Sequence, residues 1–434
     1  MTGYPNADAP SPDLLQRCVH CGFCLPTCPT YAVLGVEMDS PRGRIRLMET
    51  VWQGRVDVKS DPFEAHMYGC LDCRACETAC PSGVEFGKLM EGARSQIEAA
   101  RPRSLPERLV RLVAFRALLP RPAVLGPFVH FSVLSKRLGA AMVLRAIGRR
   151  VGLARRLAAL LDLVPDRASS RALPARYPAR GAQRGRVALF TGCVMRAAFA
   201  DTNAATARVL SRNGFEVVVP ETQTCCGALH AHAGERADAR VLARSNIASL
   251  EGLEVDAFVV NAAGCGAALK EYGWLLKDDP AWSERATRFA SRVKDASEFL
   301  GDAGLSEAPG RLSARVAYDD PCHLLHGQRI REQPRTLLAA IPELQMMPLT
   351  EADWCCGSAG TYNVTQPELS AKLLERKVGH IASSGAELVV TANPGCQMQI
   401  AAGLRAAGAP VSVVHLMDLL DRAYGRDSSD TSAG

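Results

Sequence analysis

The sequence predicts a multidomain chain of mixed α+β and α/β class: a small helical N-terminal domain, a basic helical connector, and two duplicated α/β domains. Three observations predict this. The sixteen cysteines fall into two groups of eight, Cys18–Cys80 and Cys193–Cys396, with none between. The cysteine-free gap is strongly basic. The C-terminal group repeats itself, with offsets of 129 to 131 residues between equivalent cysteines. Length and composition agree: 434 residues suggest roughly three domains, and 47% hydrophobic with 22% charged residues exclude a disordered chain, a collagen-like chain and a coiled-coil rod. Aromatics are only 6%, too few for a nucleic-acid stacking platform, so no nucleic-acid partner is expected. Met1–Gln16 is polar and does not read as a secretory signal. In a reducing compartment sixteen cysteines point to metal or redox chemistry rather than disulfides.

The N-terminal element, residues 1–100, carries Cys18-x2-Cys21-x2-Cys24-x3-Cys28-Pro29, and again Cys70-x2-Cys73-x2-Cys76-x3-Cys80-Pro81. This is the spacing of a bacterial-ferredoxin-like domain with two [4Fe–4S] clusters. Three closely spaced thiolates on a turning backbone aim at one cubane, and the fourth crosses to the other. Cys18, Cys21, Cys24 and Cys80 are therefore expected to hold cluster 1, and Cys70, Cys73, Cys76 and Cys28 cluster 2. Paired zinc sites also use Cys-x2-Cys, but two complete copies ending in Cys-Pro favour iron–sulfur ligation. Two such clusters relay single electrons. Between the runs lies Pro41-Arg42-Gly43-Arg44-Ile45-Arg46, whose arginines suit acidic surface or partner groups, or a solvated turn opening a helix.

The connector and linker span 101–184. Arg101 to Arg186 holds nineteen Lys and Arg against Glu107, Asp162 and Asp166, a net of +16 in a chain of net +6. The basic charge is thus local. Leu105–Leu163 reads as helices broken near Pro120–Pro122 and at Pro127, with apolar runs and single arginines at helical spacing. Ala168–Gly185 reads as a linker. Its longest uncharged stretch, Pro122 to Ser135, is too short for the roughly 20 apolar residues of a spanning helix. Anionic lipid headgroups or an acidic partner subunit suit this segment, as does a plain solvated connector.

The two α/β domains are expected at 185–310 and 311–425. One contains Cys193, Cys225-Cys226-Gly227 and Cys265; the other contains Cys322, Cys355-Cys356-Gly357 and Cys396. Ala257–Val260 and Leu388–Val390 read as strands, preceded by helical patterns at Arg236–Leu250 and Glu368–Ser383. The single cysteines then lie just past strand C-terminal ends, where open α/β sheets place ligands. Adjacent cysteines point different ways, and the following glycine permits a close turn. Each half thus offers four thiolates, candidate ligands for one or two further iron–sulfur clusters in all, or candidate thiol/disulfide groups. His20, His323 and His326 lie beside cysteines and are candidates for tuning a cluster by hydrogen bonds. No G-x-G-x-x-G follows a strand, no phosphate loop is present, and no catalytic triad stands out. A multi-cluster chain without a hydride acceptor is expected to be one subunit of a larger enzyme. Residues 426–434 read as a disordered tail.

Several stretches carry a family resemblance: Cys18-Val-His-Cys-Gly-Phe-Cys, Thr27-Cys-Pro-Thr-Tyr, Ser40-Pro-Arg-Gly-Arg-Ile, Thr202-Asn-Ala-Ala-Thr-Ala-Arg-Val-Leu, Lys270-Glu-Tyr-Gly, Cys355-Cys-Gly-Ser-Ala-Gly-Thr-Tyr and Ala392-Asn-Pro-Gly-Cys396. From about Leu14 to Asp421 the chain resembles the iron–sulfur subunits of glycolate oxidase (glycolate dehydrogenase), least so in the connector. The resemblance implies flavin-binding partner subunits that oxidise glycolate to glyoxylate, a quinone-type membrane acceptor, and peripheral association with the cytoplasmic face of the inner membrane. Heterodisulfide reductases are similar in architecture but end these domains in Cys-x2-Cys. Here Cys265 is followed by Gly-Ala-Ala and Cys396 by Gln-Met-Gln, so each half lacks that fifth cysteine. The alternatives are a heterodisulfide-reductase-like thiol/disulfide subunit, or the iron–sulfur subunit of a lactate or glycerol-3-phosphate dehydrogenase.

Overall fold

The structure, a computed structural model, describes residues 3–148 and 152–425. The expected tail at 426–434 lies outside the described residues. The N-terminal domain is helical. Its core forms where Pro41–Trp52 contributes Ile45, Met48 and Val51, and Phe86–Ala100 contributes Leu89, Met90, Ala93 and Ile97. Both sets recur at helical spacing on one face. Ser40 caps the first of these helices by accepting from the Gly43 amide at 3.0 Å, and Pro41 occupies the first helical position.

The helix opens at Pro41, as one of the two readings expected, and two of its three arginines meet acidic surface groups, while Arg44 does not stay at the surface. Arg44 is fully buried, bonded to the Asp39 carboxylate at 3.1 Å, to the Thr30 hydroxyl at 3.1 Å and to the His66 carbonyl at 2.8 Å. Arg42 pairs with Glu37 and Arg46 with Glu49, at 2.7 and 2.9 Å. The turn at Glu37–Asp39 folds back over the helix start and supplies the carboxylates of Arg42 and Arg44, while Arg46 meets Glu49 within the same helix.

The connector is helical as expected, with Leu105–Leu118 meeting Pro122–Arg137 at 112°. The break falls at Pro120–Pro122. Pro127 does not end the second helix, which continues to Arg137. Its missing N–H removes one bond near the start of a helix whose Leu125, Ser132 and Val133 are held against the protein. Helices Ala140–Gly148 and Gly152–Leu163 follow. Among the described residues, no single helix is long and apolar enough to cross a membrane. The linker is not wholly irregular: β1 (Arg176–Tyr177) pairs antiparallel with the edge of the first sheet.

The first α/β unit contains β2 (Gly185–Phe190), β3 (Phe215–Val218), β4 (Ala257–Val260) and β5 (Val293–Asp295). The second contains β6 (Ala314–Tyr318), β7 (Leu344–Met347), β8 (Leu388–Thr391) and β9 (Ser412–His415). The sheet orders are β1-β3-β2-β4-β5 and β7-β6-β8-β9, parallel apart from β1. With β1 left out, the second order repeats the first strand for strand. In each, the chain leaves the central strand for one neighbour and then crosses to the other side. The crevice that opens at such a reversal lies at the strands' C-terminal ends. Alternate residues share one core between the sheets: Val187, Leu189, Val259, Val316, Tyr318 and Val390 face it, with helices Ala200–Arg212 and Leu416–Ala423. Ala188, Phe190, Phe258, Ala317 and Val389 face the helices that carry cysteines. The period of two along each strand divides the faces.

Candidate functional site: thiol-lined cavities

The two Cys-x2-Cys-x2-Cys loops adopt matching backbones. His20 and Asp72, each just before the second cysteine, are left-handed with φ of 54°. Gly22 and Arg74, just after it, are also left-handed, with φ of 88° and 63°. A residue with a Cβ is strained there. Arg74 is held by a buried, two-pronged ion pair to Glu271, whose Oε2 accepts from Nη2 at 2.7 Å. Two left-handed turns wrap each loop around a hollow and aim its thiols inward.

The hollows sort the cysteines. One cavity is lined by Cys18, Cys21, Cys24 and Cys80, with Cys76 on its far wall. The next is lined by Cys28, Cys70, Cys73 and Cys76. Sulfur from each run therefore reaches across to the other, and Cys76 stands between the two cavities. Their environments differ. Cys21 is exposed and Cys18, Cys24 and Cys80 partly so, whereas Cys28, Cys70, Cys73 and Cys76 are buried. Burial pushes the Cys73 and Cys76 thiols well up from their usual range. All-cysteine, four-sulfur hollows fit an iron–sulfur cluster by donor type and number.

The third cavity lies between the two α/β units. It measures about 290 Å³ and is lined by all eight remaining cysteines: Cys193, Cys225, Cys226, Cys265, Cys322, Cys355, Cys356 and Cys396. Each Cys-Cys pair splits as its adjacency requires. Cys225 lies against Cys193, sulfur to sulfur 3.4 Å, while Cys226 packs with Cys265. Cys355 groups with Cys322, and Cys356 with Cys396. The glycines make this turn possible: Gly227 and Gly357 have φ of 84° and 85°. The units meet here through the Ala263 amide and Ala392 carbonyl at 3.1 Å and the Gly264 amide and Asn393 Oδ1 at 3.3 Å. The eight thiols thus face one chamber rather than two separate pockets.

The halves are not equivalent. A buried Lys377–Asp319 pair at 2.9 Å, both side chains 2% exposed, sits behind the second half's thiols. The first half has Phe190 at the corresponding strand end. Burial opposes the Lys377 charge, but Asp319 outweighs it and raises the ammonium's pKa. The second half also lies closest to the buried four-sulfur hollow: Cys73 shares an apolar cluster with Cys355, Leu71 and Tyr362, whose hydroxyl donates to the Gly69 carbonyl at 3.0 Å.

The histidines separate by role. His20 is exposed, and its carbonyl accepts from Arg42 at 3.2 Å. His326 joins Thr78 to the Asp353 carbonyl, a contact between domains. His323 opens a π-helical turn after Cys322, lines the chamber, and meets the Asp72 carbonyl at 2.9 Å. Burial lowers its pKa to about 4, so it is neutral at pH 7. His232, which is not among the candidates read from the sequence, also belongs here. Its ring lies edge-on to His323, centroids 5.0 Å apart, and its Nδ1 lies 3.1 Å from Asp72 and 3.2 Å from Glu91. Burial works against its charge, but the two adjacent carboxylates outweigh it and raise the pKa to about 9. Arg94 completes the wall, donating to the carbonyls of His232 at 2.8 Å and Cys70 at 2.5 Å. No sequence motif marks His232; only the charged Asp72, set between two ligand-type cysteines, hinted that a partner was needed.

A chain with two crossed four-cysteine hollows leading to a cysteine-lined chamber is an iron–sulfur electron carrier by fold and donor set. Comparison with known proteins agrees: residues 14–84 match a 4Fe-4S dicluster domain, and 187–270 and 316–401 match a cysteine-rich (CCG) domain. The chain is 42% identical over 423 residues to the "Probable glycolate oxidase iron-sulfur subunit" of Bacillus subtilis (strain 168), covering 96% of this chain and 95% of that protein. It is 36% identical over 427 residues to the "Glycolate oxidase iron-sulfur subunit" of Escherichia coli (strain K12), covering 97% of each. The chain belongs to the family of glycolate oxidase iron–sulfur subunits. A more partial likeness is to "Lactate utilization protein A" of Bacillus pumilus (strain SAFR-032), 33% identical over 238 residues, 54% of this chain and 99% of that one.

Proposed function

We propose that this chain is the electron-transfer subunit of a glycolate dehydrogenase. A flavoprotein partner oxidises glycolate to glyoxylate, releasing two electrons and two protons, and this chain carries the electrons singly to a quinone-type acceptor, which takes up both electrons and two protons. The observation that supports this best is identity over nearly the whole length of two glycolate oxidase iron–sulfur subunits. The chain is proposed to act on glycolate only with that partner.

Within this reading Cys18, Cys21, Cys24 and Cys80 hold one [4Fe–4S] cluster, and Cys28, Cys70, Cys73 and Cys76 the other. The chamber's eight cysteines are the ligands or redox thiols of the remaining site. Bound clusters supply one-electron transfer over short distances. The protein's own residues do the rest. The exposed Cys21 loop lets a donor approach closely. The buried ring of Cys73, Leu71, Cys355 and Tyr362 excludes water between the second hollow and the chamber. Arg94 and His232 set positive charge beside the Cys70–Cys73 loop.

The test is purification of the complex with its flavoprotein and assay of dye reduction. Glycolate should drive reduction, and the isolated chain should not respond. A well-folded complex that ignores glycolate but oxidises lactate or glycerol 3-phosphate would assign the chain to a sister enzyme. Disulfide reduction by the reduced chain alone would give the chamber a thiol–disulfide role.

A further inference from the structure

The outer face of the connector has no place in the chemistry above, yet it carries most of the exposed large hydrophobic side chains among the described residues. Among the described residues, 23 large hydrophobic side chains are exposed, and fifteen of them lie between Leu105 and Leu160. On Pro122–Arg137 the exposed set is Val124, Phe128, Phe131 and Leu134, spaced by four, three and three residues along one face. The opposite face, with Leu125 and Val133, is buried. The helix is therefore not amphipathic in the usual sense: its outward face is as apolar as its inward one. Phe131 is 68% exposed, and Leu105 and Leu138 are 79% and 77% exposed. Isolated exposed hydrophobics need no explanation, but a concentration across successive helices marks an interaction surface.

Charge identifies the partner. The same segment holds the chain's basic excess, +16 between Arg101 and Arg186 against +6 overall. Its three carboxylates are matched internally, Glu107 by Arg103, Asp162 by Arg145 and Asp166 by Lys136, and Arg101, Arg103, Arg111 and Arg116 are in turn paired with Asp61, Glu64, Glu98, Glu235 and Asp238 outside the segment, so the charge open to a partner is that of the arginines left over. Arg108 and Arg121 flank the apolar face, exposed and without an ion pair among the described residues. An apolar face edged by unpaired arginines suits a surface with anionic headgroups over hydrocarbon. Neither helix spans a bilayer alone: sixteen residues of helix measure about 24 Å, less than the roughly 30 Å hydrocarbon core, and the preceding helix departs at 112°. Leu125 and Val133 hold the second helix against the protein along its inner face, an arrangement that suits in-plane contact. The inner side of this layer matters too: Leu118, Leu119, Leu125 and Val129 pack with Cys193 and Cys225. The connector is the wall between the first half's thiols and the apolar exterior.

We propose that helices Leu105–Leu118 and Pro122–Arg137 dock the protein in-plane on an anionic phospholipid bilayer, which brings the Cys193–Cys225 side of the chamber to the membrane surface. This does not depend on which substrate the complex oxidises. The test is co-sedimentation of the full-length, cluster-loaded chain with vesicles of phosphatidylcholine alone, or of phosphatidylcholine mixed with phosphatidylglycerol. Binding to the mixed vesicles should be at least tenfold tighter and should weaken with salt. The double substitution Phe131→Glu, Leu134→Glu changes only exposed positions, so iron content and thermal midpoint should be unchanged while binding falls at least tenfold. Arg108→Glu with Arg121→Glu should remove the preference for phosphatidylglycerol. Equal partition of the unaltered protein onto both vesicles, or full binding by the Phe131/Leu134 variant, overturns the proposal. So does protection of Pro122–Arg137 from hydrogen exchange by the flavoprotein in a vesicle-free complex, which would make the patch a subunit interface.

Discussion

The two Cys-Cys-Gly turns offer a matched pair of substitutions with unequal expected costs. Gly227 and Gly357 share nearly the same left-handed φ, 84° and 85°. Alanine in that region costs roughly 1–2 kcal/mol at either site. The surroundings differ. A Cβ on Gly227 would meet Ala239 atoms at 3.4 to 3.5 Å, ordinary contact distances. A Cβ on Gly357 would lie 2.7 Å from the Ser370 carbonyl oxygen and 3.2 Å from its Oγ. That carbonyl belongs to the helix Pro367–Ser383 and cannot swing aside as a side chain does. Ser370 also donates to the Gly357 carbonyl at 2.8 Å and accepts from Gln399 at 3.0 Å. Displacing it adds about 1 kcal/mol for a lost buried hydrogen bond and about 1–3 kcal/mol for overpacking. Gly227→Ala should therefore cost about 1–2 kcal/mol, and Gly357→Ala about 2–4 kcal/mol more. Urea unfolding followed by far-UV circular dichroism measures both, and labelling of Cys355 and Cys356 with a thiol reagent reports whether the turn has opened. Equal costs for the two variants, or a neutral Gly357→Ala, would refute the argument from close approach.

Two further outcomes follow from buried charge. Arg44→Met leaves the Asp39 carboxylate beside an apolar group and removes donors to Thr30 and the His66 carbonyl; the N-terminal domain should lose about 3–5 kcal/mol, read as a fall in thermal midpoint with early loss of iron, and a midpoint equal to that of the unaltered protein would contradict it. His232 has a folded pKa raised from 6.5 to about 9, so its contribution is fully present below pH 6.5 and is lost as pH rises through about 9. The shift corresponds to about 3 kcal/mol, and the thermal midpoint should drop more steeply between pH 7 and pH 10 for the unaltered protein than for His232→Gln. Parallel curves would rule out the Asp72–His232–Glu91 contact as the cause.

Much of the site was legible in the sequence because it is local. Cysteine spacing depends on backbone turns of a few residues, and the same turns place the thiols in their hollows. Ala257–Val260 is a strand with those bounds, and Arg236–Leu250 a helix with those bounds, because apolar periodicity decides both. What was not legible depends on contacts distant in the chain. Arg44 reads as a surface residue until Asp39, Thr30 and His66 close around it. Pro127 reads as a helix end until the helix is packed on one side. His232 is one histidine among nine until Asp72 and Glu91 approach from the N-terminal domain. The repeat announced two sets of four thiols, but only the packing of the two sheets on one core brings both sets into a single chamber.

The central claim is that two crossed sets of four cysteines hold two separate iron–sulfur clusters. The most direct measurement is iron and acid-labile sulfide per chain after anaerobic purification, for the unaltered protein and for Cys80→Ala. The account predicts at least about eight iron and eight sulfide per chain, with a loss of about four of each in the variant and retention of the buried cluster's paramagnetic signal after reduction. Iron without equivalent sulfide, zinc in its place, or loss of the buried signal on changing Cys80 would contradict it.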